Sequence, residues 1–185
     1  MPITTLEMAI KATREVLAQV PVDSLNSTTP CAQWNVAALI DHIVGGQFFF
    51  ASAVRDEQSS EGESNFSSGD FLASFDEGSA KCLASFAQPG VLEAMHVLPF
   101  GTMPGFAFAG LAATDTFTHA WDLAKATGQS TDLAPELARQ LLEQSRANIS
   151  ESVRNEAGSP FGFEKTAPPN AFAADELAAF LGREV

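Results

Sequence analysis

A chain of 185 residues with 45% hydrophobic content is long enough to bury a sizeable core and too apolar to be disordered. Its 23 acidic residues against 10 basic ones leave a formal charge of −13, which would repel phosphate backbones and anionic membrane surfaces. Neither nucleic acid nor a membrane is therefore expected as a partner.

The N-terminal run MPITTLEMAIKATREVL is amphipathic and carries Glu7 and Glu15. It lacks the basic start and uninterrupted apolar core of a secretory signal. No apolar run approaches the roughly 20 residues needed to cross a bilayer, so a cytoplasmic protein is expected, with residues 1–185 forming a single domain. Cys31 and Cys82 show no CxxC spacing and fit reduced, buried structural thiols better than a disulfide framework.

Leu6, Ile10, Thr13, Leu17 and Val20 recur at helical spacing behind a Thr cap and predict a first helix from about Thr5 to Val20, closed by Pro21. The turn-forming stretch PVDSLNSTTPCAQW leads to Asn35, which caps a second helix, VAALIDHIVGGQFFFASAV. Leu39, Ile43, Val44 and Phe48 to Phe50 cover most of its circumference, which favours a central position. Phe48 to Phe50 could supply a dimer face as readily as core, so a homodimer stays open.

RDEQSSEGESNFSSGD has no apolar period and reads as an exposed connection, the expected site of proteolysis between Asp56 and Asp70. Asp70 can cap a third helix, FLASFDEGSAKCLASFA, which QPG closes. VLEAMHVLPFGTM is too irregular for a long helix and fits a short extended segment or a loop. A fourth helix starts near Pro104 and runs through Phe106, Leu111, Asp115, His119 and Leu123 to Gly128. ELARQLLEQSRANISESV is a fifth amphipathic helix, and DELAAFLGREV ends the chain as a short one. The economical architecture is all-α: four long antiparallel helices with a fifth packed on them.

Asp115 and His119 stand one helical turn apart, so a carboxylate and an imidazole project from one helix face. With His42 from the second helix they could converge on one metal ion and leave a position open for water or substrate. Neutral imidazole plus carboxylate suits Zn²⁺ first, with Ni²⁺, Mn²⁺ and Fe²⁺ as alternatives. Each residue also has a plain reading: His42 as a core histidine with one satisfied hydrogen bond, Asp115 and His119 as a surface pair. Asp122, three residues beyond His119, is read as an acceptor for the ring of a ligating histidine rather than a ligand itself. His96 has no partner in the pattern and is left out. Gly45 and Gly46 weaken the second helix, which either close helix packing or open space beside His42 would explain.

The runs TPCAQWNVAALIDHIVGG, DTFTHAWDLAKATGQ and DELAAFLGRE, spread over residues 29 to 184, resemble the actinobacterial metal-binding branch of the DinB-like superfamily. That branch is related to the N-terminal domain of mycothiol-dependent maleylpyruvate isomerase. The resemblance implies a DinB-type four-helix bundle with an additional C-terminal helix. It implies a metal held by the residues that match the family's positions, His42, Asp115 and His119. The isomerase-like pattern has Glu where this chain has Asp115, one methylene shorter.

The resemblance further implies thiol handling, with mycothiol as the low-molecular-weight thiol and a small electrophile beside it. The isomerase carries a further C-terminal domain that contributes to its active site, and this chain ends at Val185, so maleylpyruvate isomerisation itself is not expected. Three readings are open. The first is a metal- and mycothiol-dependent transferase or isomerase-like enzyme, the second a non-catalytic metal or small-ligand binding protein of the same fold. The third, an iron oxygenase with two histidines and one carboxylate, matches the ligand set but not the all-helical setting.

Overall fold

Helix α1 (Pro2–Leu17) buries Leu6, Ala9, Ile10, Thr13, Val16 and Leu17 along one stripe, the period that marked it in the sequence. In the computed structural model, which describes residues 2–55, 57, 65–154 and 161–185, it begins and ends earlier than expected. Gln19 and Val20 bond back to the carbonyls of Val16 and Leu17 in a tightening turn, because the residue before Pro21 cannot continue the helix comfortably.

Helix α2 (Val36–Ala53) is capped by Asn35, whose side chain accepts from Ala38 N at 2.9 Å. Helix α3 (Phe71–Phe86) is capped the same way by Asp70 on Ala73 N at 3.0 Å. The expected proteolysis site between them lies largely outside the described residues. The irregular stretch after α3 is a two-stranded antiparallel hairpin of β1 (Met95–Leu98) and β2 (Gly101–Pro104), with Leu98 opposite Gly101. Alternating burial along β1 explains why no helical period was present there. His96 lies in this hairpin, with Nε2 2.9 Å from the Val91 carbonyl.

Helix α4 (Gly105–Ala126) follows Pro104, whose extended backbone starts the helix cleanly. Helix α5 (Pro135–Asn148) stops short of its expected end, since Ile149 is already extended, and α6 (Ala173–Phe180) closes the fold.

Helix α1 packs on α4 and α2 on α3, while contacts of α2 with α4 and of α1 with α3 close a four-helix bundle. Helices α5 and α6 pack on each other, and α6 also reaches α4. The most enclosed helix is therefore α4, not α2: from Thr116 to Ala124 every residue is buried. By length and apolar composition α2 would suit a membrane span, yet half of it is buried inside the bundle. Phe50 is buried, whereas Phe48, stacked on Phe66, and Phe49, against Phe100 and Phe108, are only partly buried.

Candidate metal centre

The approach to α2 is a tight turn held by one hydroxyl. Thr29 Oγ1 donates to the Trp34 carbonyl at 2.8 Å and accepts from Cys31 N at 3.1 Å, and Trp34 N bonds back to the Cys31 carbonyl at 2.8 Å. This turn sets Cys31 and Trp34 at the mouth of the bundle. Two turns into α2, His42 faces α4, where the four-residue spacing brings Asp115 and His119 onto one face.

Tertiary structure brings all three together. Asp115 reaches both imidazoles, with Oδ2 3.7 Å from His42 Nε2 and Oδ1 3.6 Å from His119 Nε2. One ligand atom from each lies within 4.8 Å of the others. The His42 and Asp115 side chains are 35% and 33% exposed whereas His119 is 10% exposed, so the cluster opens to solvent on the His42–Asp115 side. Trp34 covers both rings, with centroids 4.5 Å from His42 and 5.6 Å from His119.

Asp122 lies behind His119, fully buried. Its Oδ2 is 2.9 Å from His119 Nδ1, 3.1 Å from Arg183 Nη2 and 3.2 Å from the Cys31 sulfur, while its Oδ1 is 3.3 Å from Arg183 Nε. Burial alone would raise this carboxyl's pKa, but the bond from His119 and the Arg183 charge outweigh it and hold the value at about 2. Burial would likewise lower His119; the Asp115 charge and the Asp122 bond instead push it up to about 10. Asp115 is also held below the usual carboxylate range, by His119 and then His42 against desolvation.

Two features of this arrangement fit a metal. The His42 Nε2 atom is shielded from solvent and has no hydrogen-bond partner among the described residues, an unfavourable state for a lone ring nitrogen. Ligand atoms around a tetrahedral ion with bonds of about 2.0–2.1 Å stand roughly 3.3 Å apart, and one donor atom from each of the three residues already lies within 4.8 Å of the others, so a bound ion would draw them together. A second cluster of Cys31, His119 and Asp122 is equally close-set, but its atoms are already bonded to one another and to the Arg183 cation.

Residues 6–124 match the Mycothiol maleylpyruvate isomerase N-terminal domain family. The chain belongs to that family. It is 42% identical to an uncharacterized protein of Mycobacterium tuberculosis, found in strains CDC 1551 / Oshkosh and ATCC 25618 / H37Rv, over 100% of this chain and 98% of the relative. The crystal structure of the mycothiol-dependent maleylpyruvate isomerase superposes with a TM-score of 0.61 at 13% identity, covering 76% of this chain and 66% of that one. A histidine-to-alanine mutant of the isomerase gives 0.58 at 12% identity, over 83% and 73%. At such identity these two structures speak for the DinB-like helical fold.

Within the family match lie His42, Asp115, His119 and Asp122, and also Cys31 and Trp34, which pattern reading had not placed at the site. Cys82 is fully buried, as expected of a structural thiol, and burial pushes it up to about 12. Cys31 is not: it is half-buried and touches Asp122. The signal was its position, four residues ahead of the Asn35 cap in the turn that opens the histidine helix. Arg183 lies outside the family match and had no spacing to betray it.

Proposed function

We propose that this chain holds a divalent transition metal, Zn²⁺ first among the candidates, on His42, Asp115 and His119. We read it as binding a low-molecular-weight thiol there, mycothiol in the first instance, for transfer to a small electrophile, with residues 1–185 acting as one domain. The carrying observation is the buried Nε2 of His42, without a hydrogen-bond partner among the described residues, facing the Asp115 carboxylate that also reaches His119. The thiol enters from the family's own description and from the isomerase structures, both mycothiol-linked.

When bound, a divalent cation favours the ionised form of a thiol and so supplies a nucleophile at neutral pH. The chain's residues prepare the site for it. Asp122 holds the His119 ring by Nδ1 and aims Nε2 towards Asp115. Asp115 supplies negative charge, and Trp34 packs against both imidazoles while the His42–Asp115 side remains accessible. A reduced thiol ligand agrees with a cytoplasmic setting.

One observation favours the non-catalytic alternative. Among the described residues beside the three proposed ligands, Cys31, Asp122 and Arg183 are engaged with one another, which leaves no free acid or base poised there.

Elemental analysis of untagged protein tests the metal: near-stoichiometric transition metal in the parent, lost in His42→Ala and His119→Ala, is the expected result. Equal content in all three proteins removes the site. With Co²⁺ loaded, mycothiol should then produce a thiolate-to-metal charge-transfer band. An unchanged spectrum on a loaded site overturns the thiol reading and leaves the binding protein.

A further inference from the structure

The last turn of the chain carries a feature that neither the family match nor the metal cluster contains. Helix α6 ends in a Schellman motif: Arg183 N bonds to the Ala178 carbonyl at 2.9 Å and Gly182 N to that of Ala179 at 3.0 Å. Gly182 adopts φ +97, a conformation open to glycine, and a Cβ there would come within 2.7 Å of Gly162 Cα. Arg154 fastens the same region, donating through Nη1 to the carbonyls of Gly162 at 2.9 Å and Phe180 at 2.7 Å. The consequence is directional. The chain reverses at Gly182 and delivers the Arg183 guanidinium, only 13% exposed, to both oxygens of the fully buried Asp122.

Without this cation Asp122 would keep only His119 Nδ1 and the Cys31 sulfur as bonded partners among the described residues, both on Oδ2, and Oδ1 would lose its partner. A fully buried carboxylate held by less charge and fewer bonds is costly and poorly fixed. The fork-shaped guanidinium fixes the plane of the carboxylate as well as its charge, which a point charge cannot do. Fixed in that plane, Oδ2 meets His119 Nδ1 at 2.9 Å.

We propose that Arg183 is a positioning residue for His119, acting through Asp122, so that the C-terminal turn sets the affinity of the metal centre some sixty residues back in sequence. This rests on the metal reading above for its consequence but not for its geometry. The relay Arg183–Asp122–His119 exists without a metal.

Two readouts on Arg183→Met and Arg183→Lys separate the possibilities. In metal-free protein labelled at histidine nitrogen, the parent should show a slowly exchanging proton on His119 Nδ1, by nuclear magnetic resonance. Arg183→Met should shift it or expose it to exchange. Zinc affinity by chelator competition should fall about 10- to 100-fold in Arg183→Met, as for loss of other groups that orient a ligand, and by less in Arg183→Lys. A merely structural role would lower the folded fraction but leave the affinity of folded molecules and the Nδ1 proton unchanged, and that result overturns the proposal. Should Arg183→Met fail to fold, Arg183→Lys decides: parental affinity and an unaltered Nδ1 signal overturn the relay. If the parent binds no zinc, the metal reading fails, while the Nδ1 resonance still tests the relay by itself.

Discussion

The indole of Trp34 and the imidazole of His42 lie with ring centroids 4.5 Å apart and planes tilted by 32°. The other tryptophan, Trp121, is buried away from solvent and donates through Nε1 to Asp175 at 2.8 Å. Trp34 is thus a local reporter. Loading Ni²⁺ or Co²⁺ should quench intrinsic fluorescence in the parent and in Trp121→Phe, and the quench should vanish in Trp34→Phe. Equal quenching in Trp34→Phe would place the ion elsewhere.

Asp122→Asn keeps the shape of the side chain but removes the charge that faces His119 and Arg183. Metal affinity should weaken about 10- to 100-fold if Asp122 only orients the ring, and be abolished if it is itself a ligand. Chelator competition measures the difference. An affinity equal to the parent's would mean that the His119 ring needs no such partner.

Two glycines in neighbouring helices should respond to alanine with opposite sign. A Cβ at Gly78 would meet the Phe48 ring at 2.9 Å and Gln47 Cβ at 3.0 Å, so α3 and α2 would have to part, at a cost of about 1–3 kcal/mol. At Gly45 the nearest atom is on Phe66 at 3.7 Å, an ordinary contact, and Gly45→Ala should stabilise by up to about 1 kcal/mol through helix propensity. Close packing therefore belongs to Gly78 rather than to the glycine pair beside His42. Urea unfolding of both variants checks the signs.

Cys82 ties stability to alkaline pH. Burial raises its thiol from an ordinary 9.0 to about 12, so the folded state keeps a proton that the unfolded chain gives up. The contribution is fully present below pH 9 and is lost as pH rises towards 12, at up to about 1.4 kcal/mol per unit. Unfolding free energies from pH 8 to 10.5 should fall less steeply in Cys82→Ala than in the parent. Parallel slopes would show that the buried thiol is not their source.

Local pattern was enough for the helices and for one face of the site. Periodicity marked α1 to α5, Asn35 and Asp70 announced their caps, and the four-residue spacing put Asp115 and His119 on a common face, because these depend on neighbours within a turn or two. The helices ending at Leu17 and Asn148 stop before their apolar pattern does, since fraying and the geometry of the succeeding turn decide where a helix stops. Only tertiary structure decided the contacts that cross between elements. Burial of α4 on several sides puts Asp122 in the core, the Thr29 turn brings Cys31 and Trp34 to the histidines, and the Gly182 reversal carries Arg183 to Asp122. The physical reason is that a carboxylate's partners are fixed by distance through the folded interior, and residues 61 or 91 positions apart in sequence leave no spacing to read.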